Sequence, residues 1–198
     1  MKKFFINFLI CTFIIFKVVN AISFWDLHQS HWAYTYIASL TEKGVINGYE
    51  DMSFKPEGTI TNGEFIKLVV MACLPEWIDL NDAESKLNHW AGKYVWIAER
   101  YGVLNEGNIK ISNIDTPITR IDMVRIIAKA DLLMKGNSLK TNQKVKFSDV
   151  LSLNSEDMQL LKHALSKNLI TGYTDNTFRP TLNMTRAEAA TMIYRLSE

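Results

Sequence analysis

The chain repeats itself, and the register of the repeats limits what it can fold into. His31-Trp32-Ala33 recurs as His89-Trp90-Ala91, 58 residues later. Lys43-Gly44-Val45-Ile46-Asn47 meets Tyr101-Gly102-Val103-Leu104-Asn105 at the same offset, and Ile60-Thr61 meets Ile118-Thr119. A third copy stands at an offset of 124: the stretch from Gly48-Tyr49 through Asp51 and Phe54 to Pro56 aligns with Gly172-Tyr173 through Asp175 and Phe178 to Pro180. Thr61-Asn62-Gly63-Glu64 then aligns with Thr185-Arg186-Ala187-Glu188, while Phe24-Trp25-Asp26 pairs with Phe147-Ser148-Asp149 one residue off that register. A short repeat cannot bury an apolar face alone, so the three copies are expected to pack on one another around a shared core.

Each copy reads as helix, long loop, helix. Trp32, Tyr36, Ile37 and Leu40 keep helical spacing, with Trp90, Tyr94, Val95 and Ala98 in the same places. In the third copy Glu156 starts the stripe instead of an aromatic, followed by Leu160, Leu161 and Ala164. The second helix of each copy opens on a threonine with an acid three residues on: Thr61 and Glu64, Thr119 and Asp122, Thr185 and Glu188. That is the capping-box pattern, so these helices should begin near Asn62, Arg120 and Arg186. The intervening loop of about 17 residues is long for a segment without strands and is expected to be functional or packed by its own side chains. Gly48 and Gly172 are expected to supply positive φ, Asp51 and Asp175 to close Asx-turns, and Phe54 and Phe178 to pin the loop to the core. The expected class is all-α: six main helices, with no sheet beyond a short extended pair.

The N-terminus has the form of an export signal. Lys2-Lys3 precedes a largely apolar run from Phe4 to Phe16, and Val19-Asn20-Ala21 offers small residues before a cut. A retained membrane anchor is the alternative, although the run is shorter than the ~20 residues a span needs. Removing residues 1–21 takes Cys11 and leaves only Cys73, so no intramolecular disulfide and no thiolate metal cluster is expected. It also leaves 19 basic against 21 acidic residues, a net charge of −2. Such a chain has no global electrostatic reason to hold nucleic acid or anionic lipid, and a ligand must be recognised by local geometry.

The motifs together resemble the S-layer homology domain, a unit usually present three times at one end of bacterial surface proteins. The resemblance rests on Phe24-Trp25-Asp26, His31-Trp32-Ala33, the run from Gly44 to Tyr49, Asp51, Phe54, Pro56 and the box Met184-Thr185-Arg186-Ala187-Glu188, with Ile118-Thr119-Arg120-Ile121-Asp122 as its second version. It divides the chain into a signal at 1–21, a first repeat at 22–80, an eroded second at 81–138 and a third at 139–198. It implies three helix-loop-helix repeats packed as a pseudo-threefold, three-pronged helical spindle. It also implies an exported, non-catalytic, S-layer-associated protein at the cell surface, without cofactor, which binds cell-wall polysaccharide bearing pyruvate ketals in grooves between repeats. The ligand-binding residues it points to are Arg186, Arg120, Trp32, Trp90, Asp26 and Asp149, with the loop pairs Gly48-Tyr49 and Gly172-Tyr173.

Physical chemistry fits those types. A guanidinium grips a carboxylate through paired charge-assisted hydrogen bonds, an indole offers a flat wall to a sugar, and a glycine admits close approach. The other readings are plain ones: Trp32 and Trp90 as core residues, Arg120 and Arg186 as solvated partners of nearby acids. Against the second stands the helix dipole, which disfavours a cation at this end unless an anion is bound. Each copy departs from the full set: Asn62 replaces arginine in the first, Glu106-Gly107 replaces Gly-Tyr in the second, and Ser155-Glu156 replaces His-Trp in the third. A site completed between neighbours, such as Arg186 beside Trp32, is therefore expected, with the groove near Arg186 the best preserved and Glu106 opposing an anion in the second copy. His28 and His31 lack an evident third ligand, and no hydrolase or nucleotide motif occurs. A degenerate scaffold that binds other surface proteins is the alternative function.

Overall fold

The computed structural model describes residues 24–73, 80, 83–136 and 138–198. The expected export signal lies outside them, as does part of the segment between Pro75 and Asn88. Among the described residues six helices follow in order: α1 Tyr34–Glu42, α2 Asn62–Cys73, α3 Gly92–Arg100, α4 Arg120–Lys135, α5 Ser155–Ser166 and α6 Arg186–Ser197. No sheet forms among them; isolated antiparallel bridges join Thr59 to Thr185, Thr61 to Pro117 and Thr119 to Asn183. The all-α expectation holds.

The second helices begin where their boxes announce. Thr61 and Thr185 accept from the backbone N–H of Glu64 and Glu188, each at 3.2 Å, and each glutamate returns an acceptor to the threonine's own N–H at 3.0 Å. Asp122 is one methylene shorter, and its carboxylate meets the Thr119 hydroxyl instead of the backbone N–H. Such a cap contributes about 0.5–2 kcal/mol.

The first helices start later than their apolar spacing suggests. α1 begins at Tyr34, because the His31 ring accepts from the Ala33 N–H at 3.1 Å and holds the preceding turn; His89 does the same for Ala91. Trp32 and Trp90 therefore precede their helices and stand 57% and 50% exposed, so neither is a core residue.

The repeats interlock rather than stand side by side. The central helices α2, α4 and α6 touch one another, and each first helix packs on the second helix of a neighbour: α1 on α6, α3 on α2, α5 on α4. A closed ring of backbone hydrogen bonds marks the pseudo-threefold axis. The Ile60 N–H donates to Met184 (3.1 Å), Met184 to Ile118 (3.1 Å) and Ile118 back to Ile60 (3.0 Å), all three residues being fully buried.

The opening amides of each second helix, which have no partner within the helix, find carbonyls in another repeat. Arg186 and Ala187 donate to Gly58 and Pro56, Arg120 and Ile121 to Leu182 and Pro180, and Asn62 and Gly63 to Thr116 and Ile114. One repeat alone would leave these groups buried and unmet, at about 1–3 kcal/mol each. Cooperative folding of the three together follows.

Two loop glycines act differently from the expectation. Gly48 and Gly172 do not have positive φ; Gly44 and Gly102 do, at the ends of α1 and α3, and Met52, Lys55, Asn176 and Arg179 adopt the left-handed region without being glycine. A Cβ on Gly48 would lie 2.3 Å from the Phe24 ring, and one on Gly172 only 2.0 Å from the Phe147 ring. These glycines let an aromatic ring lie flat on the loop.

Candidate functional site

The same interlocking decides which residues share a groove. Arg120, at the start of α4, projects onto the loop of the third copy. Its Nη2–H donates to the Thr171 carbonyl, and its guanidinium lies 4.8 Å from the Tyr173 ring and 4.9 Å from that of Phe178. Trp32 of the first copy, Gly172, Tyr173, Glu188 and Arg195 complete a groove with a cavity of about 200 Å³. All three repeats contribute to it.

Arg186, at the start of α6, repeats the arrangement on the loop of the first copy. Its Nε–H donates to the Phe54 carbonyl (2.9 Å), its Nη2–H to Asn47 (3.3 Å), and its Nη1 lies 3.4 Å from Glu64. The Tyr49 and Phe54 rings stack on it at 4.6 and 5.0 Å. α3 lies on α2 as α1 lies on α6, and Gly63 at the head of α2 abuts Ala91. By the pseudo-threefold relation Trp90 is the counterpart of Trp32, and Glu64 that of Glu188, which line one groove together.

Each of these grooves carries a layered stack. Tyr49 lies between Arg186 and the Lys55 ammonium (4.2 Å), and Tyr173 between Arg120 and the Arg179 guanidinium (4.2 Å). The tyrosine hydroxyls donate to Glu64 (3.1 Å) and Glu188 (3.3 Å). Burial raises both phenols above their ordinary pKa, and the glutamates add to the rise while the arginines oppose it. Lys55 and Arg179 carry no obvious single-repeat signal, and Glu64 and Glu188 show in the sequence only as capping-box acids; comparing the copies position by position is what finds their second role.

The arginines differ in how well they are met. Arg120 is 6% exposed, and its Nε–H has no hydrogen-bond partner among the described residues. Its nearest carboxylate, Glu188, is 3.9 Å away. Burial lowers its pKa from the ordinary arginine value. Arg186 is equally buried, but its Nε–H is used and its glutamate is closer. Neither helix start offers an open anion site, because the first amides are already bonded across repeats; any anion must be met by the guanidinium itself.

The remaining groove collects every departure from the pattern. Asn62 faces the second-copy loop that carries Glu106-Gly107, and Glu156 lines this groove where Trp32 lines that of Arg120. Glu106, expected to oppose an anion near Arg120, belongs to the loop facing Asn62 and pairs with Lys86 at 3.0 Å. Arg186 beside Trp32 is likewise not the pairing that forms: Trp32 joins Arg120.

Asp26 and Asp149 act on the loops. Asp26 accepts from the N–H of Phe54 and Lys55, both at 2.7 Å, and Asp149 from those of Phe178 (2.8 Å) and Arg179 (2.7 Å). Burial pushes the Asp149 carboxyl up, but those backbone bonds outweigh it and hold it below the ordinary value. Both carboxylates hold the Phe-Lys-Pro and Phe-Arg-Pro corners that carry the second cation of each stack.

Comparison with known proteins agrees with this geometry. The model of the S-layer homology domain matches residues 23–66 and 162–190, within the first and third copies. The cellulosome-anchoring protein of Acetivibrio thermocellus is 34% identical over 82 residues, covering 38% of this chain and 18% of that protein. The surface-layer 125 kDa protein of Lysinibacillus sphaericus is 29% identical over 161 residues, 74% of this chain and 13% of its own length. The amylopullulanase of Thermoanaerobacterium thermosulfurigenes is 26% identical across 86% of this chain, which spans only 9% of that enzyme. The repeat register, the capping boxes and these matches agree: the chain carries S-layer homology domains in its first and third copies, as a cell-surface anchoring module does.

Proposed function

We propose that this module is non-catalytic and fastens to secondary cell-wall polysaccharide bearing pyruvate ketals, held in the Arg120 and Arg186 grooves. One observation carries the reading: a buried arginine from one repeat and a Gly-Tyr loop from the next meet twice, and in the Arg120 groove an exposed tryptophan from the third repeat joins them. The Arg120 groove is the better prepared. A guanidinium taken out of water without a close counter-charge is costly, and a bound ketal carboxylate offsets that cost while accepting from its spare Nε–H. Trp32 and Trp90 give each sugar ring an apolar wall and an indole N–H. Export by the segment at 1–21 and division into repeats at 22–80, 81–138 and 139–198 belong to the same reading.

Titration calorimetry with a pyruvylated disaccharide tests it. Binding near two sites per chain is expected, falling to one in Trp32→Ala or Trp90→Ala, whose exposed side chains leave the fold intact. Three equal sites, or unaltered binding in the double tryptophan variant, overturn it. Sedimentation with wall sacculi stripped of pyruvylated polymer separates it from attachment to another surface protein, which would persist.

A further inference from the structure

The groove that lost its arginine is not merely an empty version of the other two. Loss of the arginine and the tyrosine opens a cavity of about 560 Å³, within the ~300–1,000 Å³ typical of small-molecule sites. Three acids, Asp122, Glu156 and Asp157, stand against two cations, Arg125 and Lys129. Both cations are already engaged. Arg125 forks onto Asp157 at 2.6 and 2.7 Å and also meets Asp122, while Lys129 reaches Asn105 at 3.2 Å and Glu156 at 3.5 Å. A carboxylate entering here finds a surplus of negative charge and, among the described residues, no free cation. In the Arg120 groove the balance is reversed, with Arg120 and Arg195 against Glu188.

Beside those charges the cavity offers neutral amides. Asn62, 9% exposed, spends its Nδ2 on Asn113, the Thr116 carbonyl and the Thr116 hydroxyl at 3.0–3.1 Å. Its Oδ1 accepts from nothing among the described residues. The side-chain amide of Asn108 and the Nδ2 of Asn105 are likewise open among those residues, on the facing loop. Beneath them Val103, Leu104, Ile109 and Ile126 form an apolar floor. Donors and acceptors without net charge over an apolar floor suit a ring with hydroxyls on its edge, C–H groups on its face and a methyl-bearing amide.

We infer that the Asn62 groove is a second class of saccharide site, which takes an uncharged, acetamido-bearing sugar and rejects the anionic one. The inference shares with the proposed function the premise that inter-repeat grooves hold saccharide. It makes the three grooves complementary: two for the charged residue of a polymer and one for a neutral one.

Amide-detected NMR titration with triacetylchitotriose tests the site directly, and a hyaluronan tetrasaccharide serves as the anionic comparison. Chitotriose is expected to shift the amides of Asn105, Asn108 and Ile109 and to leave Thr171–Tyr173 in place, while the tetrasaccharide leaves Asn105–Ile109 unmoved. Asn108→Phe, at an exposed position, should weaken chitotriose at least tenfold, and Trp32→Ala should not. The inference fails if chitotriose shifts no amide of this loop, if the anionic probe shifts it equally, or if Asn108→Phe leaves the affinity unchanged. Pyruvylated disaccharide added to the same sample reads the Arg120 and Arg186 grooves separately, so either reading can fail while the other stands.

Discussion

Replacing Gly172 by alanine separates two roles for that glycine, admitting a ligand or admitting a ring. The added Cβ would lie 2.0 Å from Phe147 Cε1 and 2.4 Å from its Cζ. Carbon atoms normally rest about 3.5–4.0 Å apart, so the ring must retreat by roughly 1.5 Å. Phe147 is half-buried and backed on one side by the fully buried Phe178, ring centroids 5.7 Å apart, so its retreat disturbs that packing. Overpacking of this kind costs about 1–3 kcal/mol. At roughly 2–4 °C per kcal/mol for a domain of this size, the midpoint should fall by about 2–12 °C. Scanning calorimetry of Gly172→Ala measures it, and Phe147→Leu in the same background should return part of the loss, giving a favourable coupling in the double-mutant cycle. A Gly172→Ala protein that melts with the parent yet binds pyruvylated sugar poorly would refute the packing argument and restore the ligand-approach role.

Thr185→Ala should cost about 0.5–2 kcal/mol through the lost cap, read as a lower midpoint in thermal unfolding. Arg186→Ala should lower the midpoint as well as binding, because its guanidinium ties α6 to the Phe54 and Asn47 carbonyls of the first copy; an unchanged midpoint would show that tie to be idle. Cys73 is buried and its pKa is pushed up to about 12, so in a chain starting at Ile22 thiol reagents at pH 8 should label it only on unfolding. Asp149 has its folded pKa depressed, so the stability it contributes is present above the ordinary carboxylate value, about 3.9, and is lost as pH falls through the lower folded one. Asp149→Asn should flatten the acid limb of a stability-against-pH curve below about pH 4.

Local features were legible in the sequence. The repeat register, the all-α class and the start of α2, α4 and α6 follow from threonine caps and apolar spacing, which act over a few residues and need no partner. The head of α1 lies past Trp32 because a histidine ring caps the preceding turn and delays the helix, a contact that periodicity does not report. Positive φ is not the reason for Gly48 and Gly172; only the fold brings Phe24 and Phe147 against them.

The sites themselves were decided by assembly. Each second helix takes its first two amide partners from a neighbouring repeat, and the order around the threefold axis sets which arginine meets which loop and which tryptophan. Viewed copy by copy, every repeat looks broken. Once the copies interlock, Asn62, the Glu106 loop and Glu156 fall into one groove, while Arg120 and Arg186 each meet an intact Gly-Tyr loop. The sequence by itself determined the parts and their register, because caps and periodicity are local. Only the tertiary structure decided their pairing, because burial of shared apolar faces and of orphan backbone groups is satisfied between repeats and not within them.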